Sequence, residues 1–253
     1  IETEDTTELT ALSDRAQEIG RDGLFVALRG DRTDGRQWAD AVRSRGGYVL
    51  SDQPGERTIV HPDPRAVYPL LLQAYYDYPA LKLTMIGVTG TNGKSTVTQL
   101  LYDMLSGAGR RCCLIGTGRI VIGDEIRFSP NTTPDPLTLT RLLDEAVRRG
   151  IDTVIMEVSS QALAMHRVDG LLFDLAVLTN LDYHKTLKAY QRAKFMLFEK
   201  LKEKGTAILN QDDPVTQRWL GQLHGRCLPM AGTASISGFI RSRKRWIRSR
   251  LIS

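Results

Sequence analysis

Gly87-Val88-Thr89-Gly90-Thr91-Asn92-Gly93-Lys94-Ser95-Thr96 joins an apolar stretch, Leu83 to Val88, to a helix-like run, Val97 to Leu105. A strand that turns through glycines into a helix start offers unpaired backbone N–H groups and the positive end of the helix dipole to an anion. Lys94 adds a point charge suited to the β- and γ-phosphates, and Ser95 places a hydroxyl where Mg²⁺ would sit. The segment therefore reads as a phosphate-binding loop, with ATP the expected ligand. Its spacing is a variant, because G-x-x-x-x-G-K-[ST] would need a glycine at Val88. A plain strand-to-helix turn would explain the glycines but not the adjoining Lys-Ser-Thr.

Working outward, strands and helices alternate. Met85 to Val88, Cys112 to Ile115, Thr153 to Met156, Leu175 to Leu178 and Thr206 to Leu209 read as strands, and 94–106, Leu137 to Arg149 and Leu187 to Leu201 as helices. Arg119 to Phe128 is hairpin-like. This order predicts an α/β fold, a doubly wound, mainly parallel sheet with ligands at the carboxyl ends of its strands. Upstream, Gly23 to Leu28, Trp38 to Arg45 and Tyr48 to Leu50 form a smaller α/β unit, followed by His61-Pro-Asp-Pro64 and a helix over Ala66 to Tyr76. Tyr78-Pro79 marks the expected boundary. The domains expected are thus 1–79, 80–235 and a basic tail, 236–253.

The chain has 253 residues, 42% hydrophobic and 25% charged, enough for two cores. No apolar run approaches the roughly 18 residues of a membrane span, and the acidic start has no apolar core of a signal peptide, so cytoplasm is the expected location. Cys112, Cys113 and Cys227 have neither C-x-x-C spacing nor a zinc-like histidine pattern, and are expected as buried, reduced thiols. Net charge is +5, but Ile236 to Ser253 holds Arg241, Arg243, Lys244, Arg245, Arg248 and Arg250 with no acid. The remainder is close to neutral, and nucleic acid is not an expected partner.

Three further segments fall at strand ends. Ser129-Pro-Asn-Thr-Thr-Pro-Asp135 is polar and bounded by proline, fit either to grip a polar substrate or to serve as a helix cap and turn. Glu157 closes the apolar Thr153 to Met156 run, where a carboxylate could hold Mg²⁺ or simply be a solvated cap. Lys194 lies among apolar residues in Ala189 to Phe198, and local rules alone read it as a surface lysine.

Taken in order, Gly90 to Thr96, Asn131-Thr-Thr-Pro134, Glu157-Val-Ser-Ser160, His166-Arg-Val168, Thr179-Asn-Leu181, Asp182-Tyr-His184, Ala193-Lys194 and Asn210-Gln-Asp-Asp-Pro214 resemble the Mur ligases, from about Leu24 to Pro214. The likeness is greatest to the branch that extends UDP-N-acetylmuramoyl-L-alanyl-D-glutamate by a third residue. It implies an N-terminal domain for the uridine nucleotide, marked by Leu24 to Leu28 and Asp34-Gly35, and part of a central ATPase domain. It also implies ATP-driven amide formation through an acyl phosphate in a monomeric enzyme.

Carried over by residue, Gly90, Thr91, Asn92, Gly93, Lys94, Ser95, Thr96 and Asn210 would bind ATP, and Ser95, Glu157 and Lys194 would serve Mg²⁺. Lys194 would do so as a carbamate, with Lys94 and Lys194 the catalytic pair. Asn131, Thr132, Thr133, Ser159 and Arg167 would contact the UDP-N-acetylmuramoyl dipeptide, whose partner would be diaminopimelate or lysine. The chain departs from the family pattern in running straight through Thr179 to His184, in placing Met165 where a glutamine is expected, and in its shifted Ser13-Asp14-Arg15. Beyond Pro214 the likeness is expected to stop, as in a truncated or frame-shifted product. The alternative readings are an inactive nucleotide-binding relative with a basic interaction tail, or a folylpolyglutamate-synthetase-like ligase.

Overall fold

The structure, a computed structural model, describes residues 8–30, 33–179, 188–210, 216 and 226–230. The chain divides into two compact units, Ile1–Tyr75 and Tyr76–Ser253.

In the first unit, β1 (Leu12–Ser13), β2 (Leu24–Val26), β3 (Tyr48–Ser51) and β4 (Thr58–Val60) form a parallel sheet in that order, with Phe25 abreast of Val49 and Leu50 abreast of Ile59. Ile19, Phe25, Val42 and Val49 make its core, with Val42 supplied by α1 (Ala39–Ser44). The helix expected from Trp38 opens instead as a 3₁₀ turn, Gly35–Trp38, because the Asp34 carboxylate accepts from the Arg36 N–H (3.1 Å) and starts the winding early. Along α2 (Pro64–Tyr75), the fully buried Tyr68 hydroxyl accepts from the Asp14 N–H (2.9 Å), tying the helix to the end of β1. Neither β1 nor β4 was expected. The first has two residues, and Ile59 and Val60 on the edge strand β4 are both half-exposed, so no alternation betrays them.

Among the described residues the second unit has eight strands. They are β5 (Thr84–Thr89), β6 (Cys112–Gly116), β7 (Arg119–Ile122), β8 (Glu125–Arg127), β9 (Thr153–Glu157), β10 (Phe173–Leu178), β11 (Leu201–Asn210) and β12 (Arg226–Met230), in the order β12-β11-β10-β5-β9-β6-β7-β8. Pairing is parallel from β12 to β6, and the expected hairpin adds β7 and β8 antiparallel. The pleat sends successive residues to opposite faces. Met85, Cys113, Ile115, Val154, Met156 and Ala176 join one core, with α4 (Pro136–Arg148) and α6 (Lys188–Glu199). Ile86, Val88, Cys112, Leu114, Ile155 and Val177 join the other, against α3 (Lys94–Gly107). Helices on both faces confirm the doubly wound α/β reading. Gly87 is required on the first face, where a Cβ would lie 2.9 Å from the Phe173 ring and 3.1 Å from Leu197.

Two details differ from expectation. The strand expected from Thr206 begins at Leu201, because Phe173 pairs with Leu201 across an irregularity and Lys202 donates to the Asp174 carboxylate (2.8 Å), giving a charged stretch strand partners. Cys112 and Cys113 are buried free thiols, with burial pushing Cys113 up to about 12, but Cys227 is only half-buried. The basic segment 236–253 lies outside the described residues.

Candidate active site

β5 lies between β9 and β10. The chain passes from β5 to β6, returns to insert β9, and then crosses to β10. A parallel sheet leaves its crevice at such a reversal, outside the strand ends. The loop after β5 is placed there, with Gly90 at φ 146° and Gly93 at φ 84°, the latter a left-handed turn that suits only glycine before α3 begins at Lys94. The Lys94 ammonium folds over the loop and donates to the Gly90 and Thr91 carbonyls (3.0 and 3.1 Å). Thr179, just past β10, pins the loop from the other side. Its hydroxyl donates to the Asn92 carbonyl (2.5 Å) and its N–H to the Thr89 carbonyl (2.9 Å).

Glu157 comes to this loop through strand register, since it pairs with Val88. Its carboxylate is 2% exposed and accepts from the Ser95 hydroxyl (2.9 Å), the Thr117 N–H (2.9 Å) and the Thr117 hydroxyl (3.3 Å). Among the described residues no cluster of three or more His, Cys, Asp or Glu side chains forms a metal cage. A hydroxyl and one carboxylate are hard oxygen donors, however, and Mg²⁺ in phosphate sites takes one or two such ligands, keeps waters and shares phosphate oxygens. The donor set fits that ion.

Lys194 is not a surface lysine. Carried by α6 into the core, it is 0% exposed, and its Nζ donates to the Thr91 hydroxyl of the loop (2.6 Å). Asn210 ends β11 on the same sheet edge, level with the loop but two strands from β5, roughly 10 Å away.

The polar segment before α4 docks on the end of β9. Thr133 is 1% exposed, and its hydroxyl is spent on both sides, donating to the Glu157 carbonyl (2.9 Å) and accepting from the Ser159 N–H (3.0 Å). It holds the segment in place rather than reaching outward. Thr132 meets the Thr117 hydroxyl (3.0 Å), while Asn131 is exposed. The Ser159 hydroxyl accepts from the Ala162 N–H (3.1 Å), capping the short α5 (Ser160–Ala164). Arg167 donates to the Thr133 carbonyl (3.0 Å), and its other nitrogen faces the Met165 sulfur (3.9 Å). His166, at φ 61°, shares the Asp169 carboxylate with Lys200 at 2.7 and 2.5 Å. Burial works to raise the Asp169 pKa, but hydrogen bonds from Lys200 and His166 outweigh it and leave the group below its usual range.

The contacts thus join Lys94, Thr91 and Lys194 in one set, and Ser95, Glu157, Thr132, Thr133, Ser159 and Arg167 in another, the two linked through the loop itself. Gly116, Thr117, Thr179 and Asp169 were not anticipated as parts of the site. A Gly-Thr pair ending an apolar strand was the available signal for the first two. Asn180 to His184 and Gln211 to Pro214, quoted above for their resemblance, lie outside the described residues.

Comparison with known proteins places the fold in a known family. The family description "Mur ligase middle domain" matches residues 88–248, so the likeness does not stop at Pro214 but takes in most of the basic segment. A UDP-N-acetylmuramoyl-L-alanyl-D-glutamate–2,6-diaminopimelate ligase of Geobacillus thermodenitrificans is 37% identical over 225 residues, 83% of this chain and 46% of that protein. One solved structure of a ligase of the same name superimposes with a TM-score of 0.77 at 27% identity, over 93% of this chain and 52% of its own. A MurF ligase from Thermotoga maritima, solved in complex with ADP, shares the fold, at TM-score 0.55 and 18% identity, over 88% of this chain and 51% of its own. The chain spans about half the length of the curated relatives it matches. With the middle domain traced through most of its second unit and a relative this similar across most of its length, the chain belongs to the Mur ligase family.

Proposed function

We propose that the chain carries the nucleotide-binding part of an ATP-dependent ligase that extends UDP-N-acetylmuramoyl-L-alanyl-D-glutamate, with 2,6-diaminopimelate as the incoming amine because the relatives' names specify it. The observation that carries this reading is the Ser95–Glu157 contact of 2.9 Å at the start of the helix that follows Gly90 to Gly93. Loop N–H groups and Lys94 bind the phosphates, and the Lys94 ammonium exchanges its two loop carbonyls for phosphate oxygens. Mg²⁺ held by Ser95 and Glu157 would neutralise phosphoryl charge as it develops.

Asn131, Thr132, Ser159 and Arg167 grip the muramoyl dipeptide, and Thr133 keeps their segment against β9. A substrate carboxylate oxygen then attacks the γ-phosphorus and ADP leaves. The amine attacks the resulting acyl carbon and phosphate leaves, so positioning and electrostatics carry the catalysis. Lys194 is fully buried, and its amine, having lost its ammonium proton, would add CO₂ with loss of a second proton to give a carbamate anion able to serve as a ligand to the cation. Asn210 contributes to the nucleotide site from β11.

In the first unit, a cleft of about 240 Å³ lined by Leu28, Arg29, Asp52, Asp63 and Arg65 is assigned to the uridine end of the substrate. The reaction is placed in the cytoplasm. Among the described residues no helix is long and apolar enough to cross a membrane. The test is ADP release from ATP, with and without UDP-N-acetylmuramoyl-L-alanyl-D-glutamate. Release that rises with the dipeptide, with a hydroxylamine-trappable acyl phosphate, is expected; release indifferent to it contradicts the reading.

A further inference from the structure

The Glu157 carboxylate is held from a direction that the phosphate loop does not supply. The parallel register of Ile115 with Met156 brings the end of β6 abreast of Glu157. There Thr117 touches both carboxylate oxygens, its N–H at Oε1 (2.9 Å) and its hydroxyl at Oε2 (3.3 Å). Gly116 completes the cradle by absence of a side chain, since a Cβ there would stand 2.5 Å from Oε1. The Thr117 hydroxyl also meets Thr132 at 3.0 Å. One hydroxyl has one proton, so both contacts are satisfied when Thr132 donates to Thr117 and Thr117 donates to Glu157.

We propose that Thr117 is a positioning residue for the metal-binding carboxylate. It fixes the orientation of Glu157 and, through Thr132, couples that orientation to the segment that holds the acceptor substrate. The proposal rests on the reading of Glu157 as a metal ligand. When Ser95 turns from Glu157 toward a cation, the carboxylate loses one of its three donors, and the two from Thr117 remain to aim it. Partners behind a metal ligand typically alter metal affinity by about 10- to 100-fold when removed. Thr117→Val keeps the volume and the N–H contact and removes only the hydroxyl, so the low end of that range applies.

The test uses the full chain and a non-hydrolysable β,γ-methylene ATP, titrated by calorimetry with Mn²⁺ and again in chelator. The ratio of the two affinities reads the contribution of the metal site. Thr117→Val should lower that ratio about tenfold, leave analogue binding in chelator unchanged and melt like the wild type, while Thr117→Ser restores the ratio. Glu157→Gln serves as the control. If it lowers the ratio and Thr117→Val does not, the positioning proposal is overturned. If Glu157→Gln also leaves it unchanged, the assignment of Glu157 to the metal is what fails. A Thr117→Ser ratio as low as that of valine would likewise overturn the proposal, because a merely structural methyl would then be responsible.

Discussion

Replacing Thr133 by valine should cost the C-terminal unit far more than an isosteric change normally does. The side chain is 1% exposed, and its hydroxyl serves two backbone groups, the Glu157 carbonyl at 2.9 Å and the Ser159 N–H at 3.0 Å. Valine fills the same volume but can neither donate nor accept. Each buried group left without a partner costs about 1–3 kcal/mol, so a loss of roughly 2–6 kcal/mol is expected. Serine keeps the hydroxyl and removes one methyl, for which about 1 kcal/mol is the proper scale. Urea unfolding of the full chain, followed by far-UV circular dichroism, measures both. Stability should fall in the order wild type, Thr133→Ser, Thr133→Val. Valine within about 0.5 kcal/mol of wild type, or less harmful than serine, would refute the reasoning, since the hydroxyl would then not be what ties the segment to β9.

Three further outcomes are expected. Alanine at Gly87 meets the Phe173 ring at 2.9 Å and Leu197 at 3.1 Å, so overpacking of about 1–3 kcal/mol should appear as a lowered melting temperature. ¹³C-bicarbonate should give a carbamate resonance in the wild type that is absent from Lys194→Ala, and the same spectrum from both proteins would remove the carbamate from the account. Asp169 is held below its ordinary range in the folded protein, so its bonds to Lys200 and His166 stabilise above the unfolded carboxyl value and that stability is lost as pH falls through the folded one. The stability gap between wild type and Asp169→Asn, measured by urea unfolding, should therefore shrink from pH 7 to pH 3.

The central sheet was legible because β5, β6, β9 and β10, strands of five or six residues, each carry a short apolar run, with helical periodicity between them, the pattern a sheet buried on both faces imposes. The loop was legible because its glycines and Lys-Ser pair are contiguous. Lys194 shows where local rules fail. Its neighbours in sequence are apolar but its own charge suits a solvated face, and only the packing of α6 against the sheet puts it at Thr91. Thr133 was legible as part of a polar segment but not as a buried clamp, since its partners lie 24 and 26 residues away. Thr117 was missed for the same reason, being a single polar residue whose contacts cross the sheet, and Thr179 was quoted only as part of a motif, with no role. Register rather than composition assembles this site, and register between distant strands is what one sequence carries least visibly.

The central claim is that Gly90 to Ser95 binds the phosphates of ATP, with Lys94 supplying the charge. Calorimetric titration of ATP with Mg²⁺ into the wild type and Lys94→Ala tests it most directly. The account predicts saturable binding by the wild type and affinity weaker by about tenfold or more in the variant, the scale of a lost charge-assisted hydrogen bond. Equal affinity in the two proteins would contradict it.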